Sequence, residues 1–209
     1  MRRFLILAHR VPVDGQFTLN DLAGGAGRMD EVARAVSTAF TLSNDLRRDT
    51  ELTVLFVASP PPKARRIDLV GGRLRYLNPD ERSTAALLKN ALVRSTDFPR
   101  PFESSPGLTV APSDPAADLR AFLAHPNPVW LVENGRPVEE WASPGGDVAA
   151  VLSDPYDPGP EEVALLESTQ VPRVSVGPRS LRSSQVVDLL HHELDLREAP
   201  RQTGGAPAV

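Results

Sequence analysis

Short apolar segments alternate with amphipathic segments along most of the chain, and this alternation is what most restricts the fold. The apolar segments have the length of β-strands, and the amphipathic ones repeat apolar residues at helical spacing. Such alternation is typical of an α/β sheet with parallel pairing. The predicted strands are RRFLILAH, ELTVLFVAS, residues 129–132, GDVAAVLSD and PRVSVG. The predicted helices are residues 28–43, a segment that begins at residue 78, and residues 119–124, 161–168 and 183–194.

Local signals predict two further boundaries. In NPDERS, Asn78 is predicted to cap a helix and Pro79 to occupy its first position. The alternating segment ARRIDLVGGRLRYL contains Gly71-Gly72, which predicts a hairpin turn there. The tail REAPRQTGGAPAV lacks periodicity, so we expect residues 197–209 to have no fixed structure.

Three loops follow the later strands of the predicted sheet: VENG, SDPYDPGP and SVGPRS. Ligands of parallel sheets bind in the crevice beyond the carboxyl ends of the strands. We therefore expect the binding site to be built from these three loops.

Composition excludes several classes of function. The chain has no cysteine, which rules out disulfides, thiolate zinc sites and cysteine nucleophiles. No metal-binding histidine spacing and no nucleophile turn of the GxSxG type occur, so we expect neither a metal site nor a hydrolase. No apolar run approaches the roughly 20 residues that span a bilayer, and the apolar stretch near the start is too short for a signal peptide. We expect a cytoplasmic protein with no membrane partner.

Charge is distributed unevenly along the chain. Residues 1–110 carry 16 Lys and Arg against 12 Asp and Glu, whereas residues 111–209 carry 7 against 15. This asymmetry is compatible with a polyanion that binds the first half, although uneven surface charge alone would look the same.

The glycine-rich stretch DLAGGAGRMD precedes the first predicted helix. It fails the dinucleotide fingerprint, because Asp30 stands where the third glycine is required, and no Lys-Ser/Thr follows as in a P-loop. Arg28 opens the helix and Asp45 and Asp49 lie near its end, each at the terminus that the helix dipole disfavours. Charges placed against local preference indicate function, with helix-end salt bridges as the alternative.

These same residues carry a resemblance to a known family. DLAGGAGRMDEVARAVSTAFTLSNDLRRD resembles the amino-terminal signature of the tRNA pseudouridine-54 N1-methyltransferases, and NPDERS, SSPGLTV and LVENG follow in the family's order. The resemblance spans about residues 2–195 and is densest in the first half. It implies the SPOUT fold, an α/β parallel sheet with helices on both faces and a carboxyl-terminal trefoil knot. It also implies a single domain over residues 1–196, S-adenosylmethionine as cofactor, tRNA as partner, and a homodimer.

The resemblance also implies site residues by position. The cofactor would contact three loops through Leu131, Asn134, Gly135, Asp154, Gly159, Ser175, Val176, Gly177 and Pro178. In the second loop, Ser153-Asp154 stands where the family has Gly-Asp.

For the substrate, the resemblance leads to a hypothesis about the charged cluster. Arg28, Arg47 and Arg48 would contact RNA phosphate or base carbonyls, and Asp30 and Asp45 would hydrogen-bond or deprotonate the target base. Two alternatives stay open: a SPOUT methyltransferase for another RNA base, and a noncatalytic RNA-binding or assembly protein of the same fold.

Overall fold

A computed structural model describes residues 1–57, 64–97, 99–141 and 147–198. Strands and helices alternate along most of it, except that the third strand follows the second and the fifth follows the fourth with no helix between, and one short 3₁₀ turn lies at Val138–Glu140. The elements in chain order are β1 (Arg2–Ala8), α1 (Met29–Phe40), β2 (Thr50–Phe56), β3 (Arg65–Val70), α2 (Glu81–Ser95), β4 (Phe102–Ser105), β5 (Leu108–Pro112), α3 (Pro115–Leu123), β6 (Pro128–Pro137), β7 (Val148–Ser153), α4 (Pro160–Ser168), β8 (Arg173–Ser175) and α5 (Ser183–Glu198).

The eight strands of the described residues form one sheet in the order β4-β5-β3-β2-β1-β7-β6-β8. β1 lies in the middle and pairs in parallel with β2 and β7, and β6 pairs in parallel with β7 and β8. The remaining strands extend the β2 side with antiparallel pairs. The α/β class with a largely parallel sheet is confirmed, and the carboxyl ends of the five parallel strands share one edge.

Helices cover both faces of the sheet, because the central strands are apolar on both sides. Along β1, Phe4 and Ile6 contact the core formed with α1, α2 and α5, whereas Leu5 and Leu7 contact the core formed with α3 and α4. All four side chains are fully buried. Each such burial stabilises the fold by about 2 kcal/mol, so the alternation along β1 fixes which face each residue occupies.

Two boundary predictions are wrong. The cap of α2 is Asp80, whose carboxylate accepts a hydrogen bond from the Ser83 amide, and not Asn78. No strand follows the Gly71-Gly72 turn, because β3 pairs with β2 and β5 instead. Gly71 is required for another reason: a Cβ there would lie 2.1 Å from the Arg47 carbonyl oxygen.

The antiparallel edge strands β4 and β5 were not expected, since both are short and separated by only a tight turn at residues 106–107.

The last helix, α5, continues past residue 194 to Glu198, so Arg197 and Glu198 do not belong to an unstructured tail as predicted. Both make ion pairs, Arg197 with Glu193 and Glu198 with Arg2. The rest of the predicted tail, residues 199–209, lies outside the described residues.

Candidate active site

A cleft of about 850 Å³ opens at the carboxyl ends of β6, β7 and β8. Its volume is within the range of small-molecule sites. All three predicted loops contribute to its wall, together with the residues just before α5. Six of the nine predicted cofactor residues line it: Leu131, Asn134, Asp154, Ser175, Val176 and Gly177. Gly135, Gly159 and Pro178 are not among its lining residues.

The first loop of the cleft projects from β6. Leu131 and Arg136 both pair with Val174 of β8, so residues 132–135 arch out between two pairings to the same residue. Gly135 permits this approach, because a Cβ there would lie 2.5 Å from the Val174 nitrogen. At the edge of the arch, Arg173 donates a hydrogen bond of 2.8 Å to the Asn134 side-chain oxygen. Gly135 thus shapes the loop instead of lining the cleft.

The second loop is held in place by His9, which follows β1. The Asp154 carboxylate accepts hydrogen bonds from the His9 amide and the His9 Nδ1, at 2.8 and 3.0 Å. The His9 Nε2 lies 2.9 Å from Glu162 of α4, whose carboxylate also accepts from the Gly159 amide. Burial opposes protonation of His9, but the two carboxylates outweigh it and raise its pKa to about 9. His9 is therefore an imidazolium at neutral pH that joins three segments around the cleft.

The third loop connects β8 to the start of α5. The Ser175 hydroxyl donates to the Gly177 carbonyl at 2.6 Å, which closes a tight turn. A Cβ on Gly177 would meet no atom within 4 Å, so this residue faces open space in the cleft wall. The Ser183 hydroxyl donates to the Ser153 carbonyl at 2.6 Å and brings the amino terminus of α5 to the end of β7. The amino end of a helix favours negatively charged ligand groups.

The glycine-rich stretch reaches the same cleft from the other side. The Gly24 and Gly25 amides donate to the Asp21 carboxylate at 2.9 and 2.7 Å, so these two donors are not free to hold a phosphate. Gly27 has φ +61°, and a Cβ on it would lie 1.9 Å from the Arg10 carbonyl oxygen. The glycine-rich stretch therefore packs directly against the segment that follows β1. This packing places Arg28 in the cleft wall.

Arg28 has an unusual backbone conformation at the start of α1. Its φ of 70° lies in the left-handed region, which costs a residue other than glycine about 1 kcal/mol or more. Its guanidinium donates to both oxygens of Asp30 and to Glu31, each at 2.9 Å. Arg34 donates to the same two carboxylates, at 2.6 and 2.8 Å. Burial alone would raise the pKa of Asp30, but Arg28 and Arg34 lower it, so Asp30 is ionised.

The other residues predicted to act on the RNA, one catalytic and two substrate-binding, lie at the opposite edge of the sheet. Asp45, Arg47 and Arg48 immediately precede β2, at the end where β1 begins. β1 has seven residues, which separates the two edges by roughly 20 Å. Asp45 is exposed, and the Leu46 amide and the Arg48 side chain lower its pKa. The structure brings Arg28 and Asp30 together and places these three residues elsewhere within the chain, so their roles toward RNA stay predictions.

Arg47 belongs to a cluster that joins the first strand to the last helix. It pairs with both oxygens of Asp195, at 3.0 and 2.7 Å. The buried Arg2 donates to Asp195 at 2.6 Å and to Glu198 at 2.9 Å. Arg2 also donates to the His191 Nδ1, while the His191 Nε2 donates to a backbone carbonyl of α1. Burial lowers the pKa of His191 to about 3, with help from Arg47 and Arg2, so its imidazole is neutral.

Sequence reasoning missed three residues around the cleft: His9, Glu31 and Glu162. No local motif marks them, although the position of His9 directly after β1 pointed to the cleft edge. Among the described residues, no group of three potential metal ligands lies close together, and no helix is long and apolar enough to cross a membrane.

Comparison with known proteins agrees with this geometry. Residues 1–199 match the model of a family described as "Putative SAM-dependent RNA methyltransferase". A Methanocella arvoryzae protein named tRNA (pseudouridine(54)-N(1))-methyltransferase is 39% identical over 197 residues, which cover 94% of this chain and 100% of that protein. Proteins of the same name from Methanosarcina mazei and Thermococcus gammatolerans are 37% and 38% identical and cover 96% and 93% of this chain, and 94% and 97% of their own lengths.

The chain belongs to this methyltransferase family. Its fold resembles that of Archaeoglobus fulgidus Nep1, solved with S-adenosylhomocysteine, with a TM-score of 0.59 at 15% identity. The match covers 93% of this chain and 96% of Nep1. The family predicted from the amino-terminal signature is confirmed.

Proposed function

We propose that this protein transfers the methyl group of S-adenosylmethionine to N1 of pseudouridine 54 in tRNA. The observation that carries the proposal is the nearly complete alignment with several relatives that share this one activity in their names, at 34–39% identity. The cleft is the second support, because it is formed by the loops that the family signature assigns to the cofactor.

The cleft fits S-adenosylmethionine in size and in chemistry. Apolar side chains such as Leu131 and Val176 offer a surface for the adenine ring, and Asn134 and the loop backbones offer hydrogen bonds to its edges. The carboxylate of Asp157 suits the positive charges of the cofactor, and the amino terminus of α5 suits its carboxylate. Gly135 and Gly159 contribute indirectly, since one permits the arch of the first loop and the other binds Glu162.

When bound, the cofactor supplies an electrophilic methyl group to the electron pair of N1, and the electrons of the broken carbon–sulfur bond remain on sulfur. The protein holds the two reactants in place, which can lower the barrier by roughly 7–11 kcal/mol. Arg28 lies on the wall of the same cleft, so it can donate to a carbonyl oxygen of the base, where negative charge develops. Asp30 fixes the direction of Arg28 through two hydrogen bonds.

We further propose a trefoil knot, a homodimer and action on cytoplasmic tRNA, with residues 1–196 as a single domain. The knot and the dimer are proposed from the family resemblance carried by the amino-terminal signature. An experimental structure and the mass of the protein in solution test the knot and the dimer.

The proposed reaction is tested with labelled S-adenosylmethionine and two tRNA transcripts that carry pseudouridine or uridine at position 54. Uridine has no N1–H, because its base is joined to the sugar through that nitrogen. We expect label in the pseudouridine transcript alone. Equal labelling of both transcripts would contradict the reaction at N1. Labelling of neither, with cofactor binding absent, would favour a noncatalytic RNA-binding protein.

A further inference from the structure

The carboxylate of Glu31 is buried in the cleft wall with one oxygen unused. Glu31 lies in the first turn of α1 and is 3% exposed. Its Oε1 accepts from Arg28 at 2.9 Å and from Arg34 at 2.8 Å, and the Arg182 Nε lies 3.8 Å away. Its Oε2 has no hydrogen-bond partner among the described residues. Glu31 is nevertheless one of the residues that line the cleft.

A buried carboxylate oxygen that accepts no hydrogen bond is unfavourable unless a ligand supplies the donor. Buried polar atoms in native proteins are almost always hydrogen-bonded, and an unpaired one costs about 1–3 kcal/mol, more when it is charged. The arginines on Oε1 fix the direction of the other oxygen, so Oε2 is held in place as an acceptor. Oε2 is itself buried, so a donor in the cleft would satisfy it once the wall beside Glu31 yields to admit the base.

We propose that the Glu31 Oε2 accepts the N1–H of the target pseudouridine and takes its proton. This inference rests on the proposed function and assigns a catalytic residue to it. The proton passes from N1 to Oε2, the pair of the N–H bond stays on N1 for the new bond to the methyl group, and the resulting carboxylic acid returns the proton to water. A base at hydrogen-bond distance from the proton it removes accelerates such steps by about 10²–10⁴-fold.

Asp30, which the sequence suggested for this role, has a different task. Its Oδ1 accepts from Arg28, and its Oδ2 accepts from Arg28 and Arg34. Both oxygens are occupied, and Asp30 does not line the cleft. Asp30 is therefore a positioning residue for Arg28, and Glu31 is the carboxylate that faces the base.

Glu31→Gln tests this assignment with little change of shape. The glutamine oxygen can keep the two arginine bonds, and its amide group then places a donor where the Oε2 acceptor was. Glu31→Asp is the second variant, because it keeps the charge near Arg28 and Arg34 and withdraws the acceptor by one methylene. Glu167→Gln, at an exposed position of α4, is the matched control. Thermal unfolding shows that each variant is folded.

The first measurement is binding of RNA without the cofactor. A site built to accept an N–H discriminates against a ligand that lacks it. We expect wild type and Glu167→Gln to bind tRNA with pseudouridine 54 about tenfold more tightly than tRNA with N1-methylpseudouridine 54. Both Glu31 variants should bind the two RNAs within about twofold of each other. A preference that survives in Glu31→Gln, or that is absent from wild type, overturns the assignment.

The second measurement is turnover. We expect Glu31→Gln to lower kcat about 100-fold or more, while the Kd for S-adenosylmethionine stays within about threefold of wild type. A kcat within threefold of wild type overturns the assignment. If wild type itself transfers no methyl group, the proposed function fails, and the binding preference still decides whether Glu31 recognises N1–H.

Discussion

The two ends of the parallel strands use buried charge in opposite ways. At the amino end, Arg2 and Arg47 meet Asp195 of α5, and His191 lies between Arg2 and α1, so the charges join the first strand to the last helix. At the carboxyl end, Arg28 adopts a strained backbone, and Glu31 lines the cleft with one carboxylate oxygen that has no partner among the described residues. The first arrangement stabilises the fold, and the second keeps an acceptor ready for a ligand.

The largest effect on stability is expected from Arg2→Met at the amino end. Its side chain is 2% exposed and pairs with Asp195 and Glu198, so its loss leaves two acidic groups without this partner. Both carboxylates are about half exposed, and His191 loses the donor to its Nδ1, so we expect the free energy of unfolding to fall by about 1–2 kcal/mol. We expect urea unfolding to show this loss, with an unchanged Kd for S-adenosylmethionine. A weakened cofactor affinity would show that the two ends are coupled.

Asp154→Ala should act mainly on the cleft. It removes the acceptor of the His9 amide and ring and of the Tyr156 amide, so the second loop loses its attachment to β1. We expect the affinity for S-adenosylmethionine, measured by calorimetry, to fall by about 2 kcal/mol, or roughly 30-fold. Asp97→Ala, on the surface after α2, is the control and should bind like wild type. Equal affinities in all three proteins would remove Asp154 from the cofactor site.

His9 and His191 should give opposite pH dependences. The pKa of His9 is raised from 6.5 to about 9, so its contribution to stability is complete below pH 6.5 and is lost as the pH rises through 9. The pKa of His191 is lowered from 6.5 to about 3, so its contribution is complete above pH 6.5 and is lost as the pH falls toward 3.

Urea unfolding across pH 4–10 separates these contributions. We expect His9→Gln to flatten only the alkaline decrease in stability and His191→Gln to flatten only part of the acidic decrease, between about pH 6.5 and 4. An alkaline decrease of the same size in His9→Gln would contradict the doubly bonded imidazolium at the cleft.

The smallest expected effect distinguishes the predicted role of Arg47 from its observed contacts. The logarithm of the RNA-binding constant falls linearly with the logarithm of the salt concentration. Removing an arginine that binds an RNA phosphate makes this slope shallower by about one. The Arg47 guanidinium is paired with both oxygens of Asp195, so we expect Arg47→Ala to leave the slope for tRNA unchanged. A slope reduced by about one would restore Arg47 to the RNA interface.

The features that the sequence predicted correctly are those that local patterns determine. The apolar runs of β1, β2 and β7 predicted that these segments are strands, and the carboxyl ends of parallel strands predicted where the cleft opens. The hairpin at Gly71 failed because that glycine is required by the approach of Arg47, a distant residue in the sequence. The extension of α5 depends on contacts with Arg2, and the free oxygen of Glu31 depends on where two arginines point. Neither is visible in a local pattern.

The arrangement of the cleft also has a consequence during protein synthesis. Its wall combines Arg28 with residues as far along the chain as Val186, and its first loop is shaped by pairing with β8. The cleft is therefore complete only when the beginning of α5 has emerged from the ribosome. A nascent chain that has already folded β1 and β2 still lacks a place for the cofactor until β8 and the beginning of α5 have been added.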